Sequence, residues 1–307
     1  MHDNDKFYEY MKSKTDEQFL DLLCQAENTS VIDGFKMPVF PDESLQKQFV
    51  GSSGGTSLKN EGWLFYKLVK EYCHRFNVPI NSTTKILDFG CGWGRMIRFY
   101  FKDMPSRNIY GVDVDPEIIQ ICKDTLNYGN YSTCDPLPPT TFADDSFDII
   151  FSYSVFSHLR EDVANKWIQE FSRILKPNGI LVATTQGEGF LDFCKSLNEN
   201  PEQKTTGWHE ALANCFLPIE ESRQRYSKGE FLYAPTGGGG VRESSFYGEA
   251  IIPQSYIKET WGKLLKFLEY FYDTNRLPQA VFVLQKLDSS SRMKLRQRLG
   301  FLKKFTM

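Results

Sequence analysis

A chain of 307 residues exceeds one average domain, yet a single α/β domain with extensions reaches that length while burying a full core. Apolar residues at 41% and charged residues at 24% are ordinary globular values, whereas an aromatic share of 15% is rich and leaves rings to spare for a pocket wall. The formal net charge of -3 supplies no general basic field, which counts against wholesale nucleic-acid binding and leaves only a local basic patch open.

Residues 1–56 read as an N-terminal extension of short helices and turns. Thr15 and Gln18 are spaced as a capping box ahead of Phe19, Leu20, Leu22 and Leu23, and Pro38 and Pro41 then interrupt the chain. The run Gly51-Ser52-Ser53-Gly54-Gly55-Thr56 reads as a small, flexible stretch. After it, Leu64, Phe65, Leu68, Val69, Tyr72, Cys73 and Phe76 keep the 3.6-residue period of a helix.

Residues 57–186 read as an α/β core. Short apolar strands, Lys85 to Phe89, Asn108 to Val112, Tyr131 to Cys134, Phe147 to Tyr153 and Gly179 to Thr185, alternate with helices near Arg95 to Lys102, Pro116 to Asn127 and Glu161 to Leu175. Such alternation predicts a doubly wound, mostly parallel sheet covered on both faces. Residues 187–252 break the rhythm without clear strand signals, as an insertion that acts as a lid or binding element, or else moves. A helix near Gln254 to Gly262 and two strand-like runs, Leu264 to Tyr272 and Gln279 to Lys286, close the core over 253–288, and their short joint suits an antiparallel pair.

Residues 289–307 form a basic tail in which Leu295, Leu299 and Leu302 share one helical face. It can rest on anionic lipid, bind a partner or remain solvated. The seven cysteines show no C-x-x-C pair and no histidine at zinc spacing, so reduced thiols and no metal are expected. The polar, acidic start and the absence of a membrane-spanning apolar run give a cytoplasmic expectation.

The chemistry is concentrated where Ile86-Leu87-Asp88-Phe89 runs into Gly90-Cys91-Gly92-Trp93-Gly94. Glycines allow close approach of a ligand to backbone at a strand's carboxyl end. A pyrophosphate loop wants G-x-G-x-x-G, but the spacing is G-x-G-x-G with Asp88 two residues ahead, and that carboxylate suits a cationic ligand. Asp113 closes the next strand, where a carboxylate accepts both hydroxyls of a ribose. Asp115 reads as the N-cap of the following helix. Asp135 ends the third strand, either meeting an adenine edge or serving as a turn residue before Pro136.

Four motifs in order, Ile86 to Gly94, Gly111-Val112-Asp113, Asp145-Ser146-Phe147-Asp148 and Leu175-Lys176-Pro177-Asn178-Gly179, resemble the class I S-adenosylmethionine-dependent methyltransferase family over roughly residues 60–186 plus the closing strand pair. The resemblance implies a seven-stranded Rossmann-like sheet with an antiparallel last strand, and S-adenosylmethionine as cofactor. It implies that Asp88 and the loop from Gly90 through Cys91, Gly92 and Gly94 to Arg95 hold the methionine part, and that Asp113, with Val114 beside it, takes the ribose. The segment Ser152 to Leu159 matches the one that borders cofactor and acceptor in the family, which adds Ser152 and Tyr153 to the cofactor contacts. Within the family the chain is similar to bacterial enzymes of glycan or specialised-metabolite pathways.

Methyl transfer needs alignment, a dry site and sometimes a base. Of the four histidines, His158 lies just beyond the fourth strand and is the first base candidate, His209 in the insertion is the second, and His2 and His74 are weak. Arg223, Arg225, Tyr226, Tyr233, Arg242, Glu243 and Tyr247 form a suggestive insertion cluster for an acceptor's anionic group or ring. The expected function is O-methylation of a sugar, glycan intermediate or small metabolite, without a nucleic-acid partner and with an unspecified oligomeric state. A nicotinamide-dependent oxidoreductase and a non-catalytic cofactor-binding scaffold are the alternatives.

Overall fold

The computed structural model describes residues 3–50 and 53–288. His2 and the basic tail lie outside the described residues. The extension contributes α1 (Asp3–Met11), α2 (Asp16–Gln25), a hairpin of β1 (Val31–Ile32) and β2 (Phe35–Lys36), and α3 (Glu43–Val50). At the start of α2 both halves of the capping box form, Thr15 accepting from the Gln18 amide at 3.1 Å and Gln18 accepting from the Thr15 amide at 2.9 Å.

The small-residue stretch departs from its flexible reading. From Gly54 it is helical, as α4 (Gly54–Ser57) and a π turn (Leu58–Gly62) leading into α5 (Trp63–Arg75). Gly54 and Gly55 are buried, and their amides donate to Gln46 and Glu27 at 2.8 and 3.1 Å. Side chains from α3 and from the turn after α2 thus satisfy free N–H groups of this helix start.

The core then reads β3 (Ile86–Phe89), a 3-10 segment (Ile97–Lys102), β4 (Ile109–Asp113), α6 (Pro116–Leu126), β5 (Asn130–Thr133), β6 (Phe147–Ser152), α7 (Glu161–Ile174) and β7 (Leu175–Thr185). The segment after the glycine loop is not the α-helix its sequence predicts. The Gly94 carbonyl, which an α-helix would offer to the Arg98 amide, accepts instead from Arg98 Nε at 3.0 Å. β7 begins earlier than expected, at Leu175, and its register against β6 shifts between the Phe147–Leu175 and Ile149–Ile180 pairs.

The insertion is ordered and carries strands that its sequence did not signal: α8 (Gly189–Glu199), α9 (Gly207–Leu212), α10 (Ile219–Ser227), and an antiparallel ribbon of β8 (Leu232–Ala234) and β9 (Glu249–Ile251). Phe190, Leu191, Cys194, Leu197, Leu212 and Ile219 give it a small apolar core of its own, joined by Leu232 and Ile251 of the ribbon. The chain ends in α11 (Gln254–Thr260), β10 (Lys266–Phe271) and β11 (Ala280–Gln285).

Seven strands in the order β10-β11-β7-β6-β3-β4-β5 make one sheet, parallel from β7 to β5, with β11 antiparallel to both neighbours. This is the doubly wound, Rossmann-like sheet with an antiparallel last strand that the family resemblance implies. β3, buried along its whole length, lies near its centre. One face packs on α5, α6 and the extension, where Phe7 of α1 stacks on Tyr128 at 4.0 Å, and the other on α7 and α11. No helix among the described residues is long and apolar enough to cross a membrane.

Candidate functional site

The order reverses between β3 and its neighbours β4 and β6, so a crevice opens at the carboxyl ends of these strands. There a cleft of about 1400 Å³ is floored by the glycine loop and roofed by the insertion and α3. Asp88, Gly90, Cys91, Gly92, Arg95, Asp113, Val114, Tyr153, His158 and His209 all line it.

At the floor, Asp88 is 1% exposed, and its Oδ2 has no hydrogen-bond partner among the described residues. Burial lifts this carboxyl well above the usual range and the charge of Asp113 adds to the rise, while Arg95 opposes it. A carboxylate held this way demands a donor or a cation. Gly90 has φ +73, and a Cβ there would lie 2.3 Å from Val155 Cγ2, so only glycine fits where the chain leaves β3. Asp113 accepts from the Gly92 amide at 2.9 Å through Oδ2 and from the Asp115 amide at 3.1 Å through Oδ1. Each oxygen keeps a lone pair for a ligand hydroxyl. Burial raises this carboxyl too, and the two amides work against the rise. Asp115 caps α6, accepting from the Glu117 amide at 3.0 Å. Val114, Cys134 and Pro136 form a slot beside Asp113 that suits a flat base.

Three candidates, Asp135, Gly94 and Ser152, do not line the cleft, whereas Arg95 and Tyr153 do. Asp135 is exposed and does not line the cleft, although both its neighbours do, because the turn before Pro136 points it outward. Gly94 also lies off the cleft. A Cβ there would lie 2.4 Å from Leu126 Cδ1, so this glycine lets α6 pack close. Ser152 is fully buried and donates to the Phe89 carbonyl at 2.9 Å, tying β6 to β3 below the site. Arg95 donates to the Ser57 carbonyl and Glu61 at 3.3 and 3.4 Å and sits over the Tyr153 ring, while the Tyr153 hydroxyl donates to Glu61 at 3.0 Å. Arg95 and Tyr153 together build the wall toward α5.

At the other end, His158 Nδ1 lies 2.9 Å from the Gly248 carbonyl. A carbonyl only accepts, so Nδ1 carries the proton and Nε2 is the acceptor, with the Ser154 hydroxyl 3.5 Å away as a weak donor to it. Gln279 donates to that same oxygen at 2.9 Å and fixes the serine. The imidazole stacks on Tyr247 with centroids 4.7 Å apart. For His209, the Thr205 amide donates to Nδ1 at 3.2 Å, which leaves Nε2–H as a donor. His158 Nε2 is therefore the better placed proton acceptor of the two. His74 is exposed on α5 and is not among the residues lining the cleft.

Of the insertion cluster, Arg242 and Tyr247 line the cleft. Arg223 is taken up by Glu188 and Asp192 at 3.1 and 2.7 Å, and Arg225 by Glu230 at 2.8 Å. Tyr226 packs in the insertion's core, Tyr233 packs beside α7, and Glu243 is exposed. Sequence reasoning missed Glu249, which lies at the start of β9 with its Oε2 3.6 Å from His158 Nδ1. It also missed Trp208, Phe193 and Gln279 on the cleft wall and Phe49 from α3. Glu249 had no motif, and only the pairing of the loop after β6 with the returning chain brings it in. The Gly248 and Ala250 amides donate to the His158 and Ser157 carbonyls at 2.8 and 2.7 Å.

Residues 87–183, from β3 through β7, match the family model described as a methyltransferase domain. These residues therefore carry a methyltransferase domain, in keeping with the resemblance to the class I S-adenosylmethionine-dependent family. The chain is 23% identical over 147 residues to phosphoethanolamine N-methyltransferase of Plasmodium falciparum, covering 47% of this chain and 52% of that enzyme. It is 21% identical over 253 residues to malonyl-[acyl-carrier protein] O-methyltransferase of a Paenibacillus species, covering 72% and 90%. Among solved structures, magnesium protoporphyrin IX methyltransferase of Synechocystis with bound S-adenosylhomocysteine aligns with a TM-score of 0.47 at 12% identity, covering 78% of this chain and 93% of that one. The chain thus spans about half the length of the first of these relatives.

The cofactor of this methyltransferase domain is S-adenosylmethionine, and the residues present fit it. The orphaned Asp88 oxygen suits a cationic methionine group, Asp113 a ribose diol, and the Val114–Cys134–Pro136 slot an adenine. The nicotinamide alternative falls with this assignment.

Proposed function

We propose that this protein transfers the methyl group of S-adenosylmethionine to a hydroxyl oxygen of a small molecule or glycan, such as a sugar, a glycan intermediate or a small metabolite. One observation carries the choice of oxygen: an imidazole that lines the same cleft as Asp88 and the glycine loop, with Nδ1–H held by the Gly248 carbonyl so that Nε2 is the proton acceptor. The relatives named above act on an amine and on a carrier-bound acid, so they support methyl transfer without fixing the acceptor.

When bound, the cofactor supplies a methyl carbon already activated by a positively charged sulfur. The protein's part is to align an acceptor and take its proton. An acceptor hydroxyl reaching His158 Nε2 gives up its proton there, and the imidazolium that forms keeps Nδ1–H on the Gly248 carbonyl with the Glu249 carboxylate 3.6 Å away. Trp208, Phe193 and Tyr247 narrow the acceptor end and displace water. The basic segment 289–307 would add contact with an anionic membrane surface, which flotation of full-length and truncated protein on liposomes tests.

Calorimetric titration with S-adenosylhomocysteine, followed by radiolabelled methyl transfer to a panel of hydroxyl, amine and carboxylate acceptors, tests the reading. Product methylated on oxygen is expected. Cofactor binding with no turnover on any acceptor would favour the scaffold alternative, and methylated amines would move the acceptor atom to nitrogen.

A further inference from the structure

The acceptor end holds a second buried carboxylate with one oxygen lacking a hydrogen bond among the described residues. Glu249 is 1% exposed; its Oε1 accepts from the Trp208 indole at 2.7 Å, and Oε2 has no hydrogen-bond partner among the described residues. Burial raises this carboxyl, while His158 and the indole oppose the rise. A buried acceptor atom left alone is costly, so a fold retains one mainly where something arriving later donates to it. Beside it, Trp208 and Phe193 are 45% and 38% exposed, with centroids 6.1 Å apart, and both line the cleft. Large rings bared on a concave wall are ready to stack.

Resting on the methyl-transfer reading, we infer that this end of the cleft is a subsite for a ring carrying two neighbouring hydroxyls, as on a pyranose or cyclitol. One hydroxyl faces His158 Nε2, its neighbour donates to Glu249 Oε2, and the C–H face of the ring lies on Trp208. Two hydrogen-bond acceptors serve this end of the cleft, His158 Nε2 on one edge of the imidazole and Glu249 Oε2 at 3.6 Å from Nδ1 on the other, and a ring with two neighbouring hydroxyls offers a donor to each. The same carboxylate argues against an amine. It would hold the amine as ammonium, which has no lone pair to attack a methyl group.

The test uses the full chain saturated with S-adenosylhomocysteine and follows Trp208 fluorescence, with W208F as the control that removes the signal. The probes are methyl α-mannopyranoside, methyl β-galactopyranoside, methyl β-glucopyranoside and myo-inositol, their fully O-methylated counterparts, and ethanolamine. At least one diol probe should bind, its O-methylated counterpart at least tenfold more weakly, and E249Q should weaken the diol probe about tenfold while S-adenosylhomocysteine binding stays unchanged. The exposed-site variant W208A, read by calorimetry, should lose the same probe even if E249Q folds poorly. No diol probe binding, equal binding by E249Q, or ethanolamine binding that E249Q alone abolishes would each overturn the subsite. Failure of S-adenosylhomocysteine to bind the wild type would instead sink the methyl-transfer reading itself.

Discussion

The two ends of one cleft are built by different means. The cofactor end is local: Asp88, Gly90, Cys91, Gly92 and Arg95 come from one strand and the loop leaving it, and Asp113 and Val114 from the adjacent parallel strand. The acceptor end is assembled at long range, where the loop after β6 meets the far side of a long insertion through the Gly248 and Ala250 amides. Each end encloses one buried carboxylate oxygen with no hydrogen-bond partner among the described residues, on Asp88 and on Glu249. A binding function that many ligand-specific enzymes share can sit in a contiguous strand and turn, whereas acceptor choice is left to a segment that can change without disturbing the sheet.

The sharpest way to separate the two ends is to remove His158. H158A should lower methyl transfer by about a hundredfold or more, the usual scale of a general base, with S-adenosylhomocysteine affinity nearly unchanged by calorimetry. Equal losses in both would mean the two ends are not independent. The converse variant is D88N. Loss of a charged partner should weaken cofactor binding by about 1.5–3 kcal/mol, roughly tenfold to a hundredfold, with diol-probe binding read separately by fluorescence. Cofactor affinity within twofold of wild type would remove Asp88 from the site.

A third variant probes what stiffens the cofactor end. Arg98 is fully buried beneath the glycine loop, its guanidinium 4.8 Å from each of the neighbouring Trp93 and Phe40 rings, and burial lowers its pKa to about 10. R98A strands the Gly94 carbonyl and removes the cation that rests on the Trp93 and Phe40 rings, so a loss of about 2–3 kcal/mol is expected in urea unfolding. An unchanged midpoint would show that the loop holds its shape without it.

The difference between the ends also explains what was legible in the amino-acid sequence. Short apolar runs and period-3.6 patterns marked all seven strands of the sheet and its main helices, because sheet and helix burial write themselves into adjacent residues. Asp88, Asp113 and the glycines were readable for the same reason. The 3-10 segment after the loop was not, since it depends on Arg98 Nε occupying a backbone carbonyl. Glu249 was invisible because its environment is supplied by Trp208 and His158, neither near it in sequence. The arginines of the insertion misled in the opposite way. Arg223 and Arg225 looked available but are neutralised by Glu188, Asp192 and Glu230, and side-chain pairing across helices leaves no period to read.

The smallest expected effect distinguishes the ends by pH. Burial raises both Asp88 and Glu249 in the folded protein. A carboxyl with a folded pKa above its unfolded value binds more protons folded than unfolded in the interval between the two. Stability therefore falls as pH rises from about 4, where unfolded carboxyls titrate, up through the folded values, by at most about 1.4 kcal/mol per pH unit for each group. D88N and E249Q should each remove one contribution, flattening the urea-stability profile of the cofactor-free protein above pH 4 and raising its stability toward neutrality. Saturating S-adenosylhomocysteine should flatten the part that belongs to Asp88 and Asp113, since it reaches only that end, and E249Q should reduce the slope that remains. If instead the cofactor flattens the whole profile, the Glu249 oxygen is satisfied when the cofactor end fills, and the two halves of the cleft close as one unit.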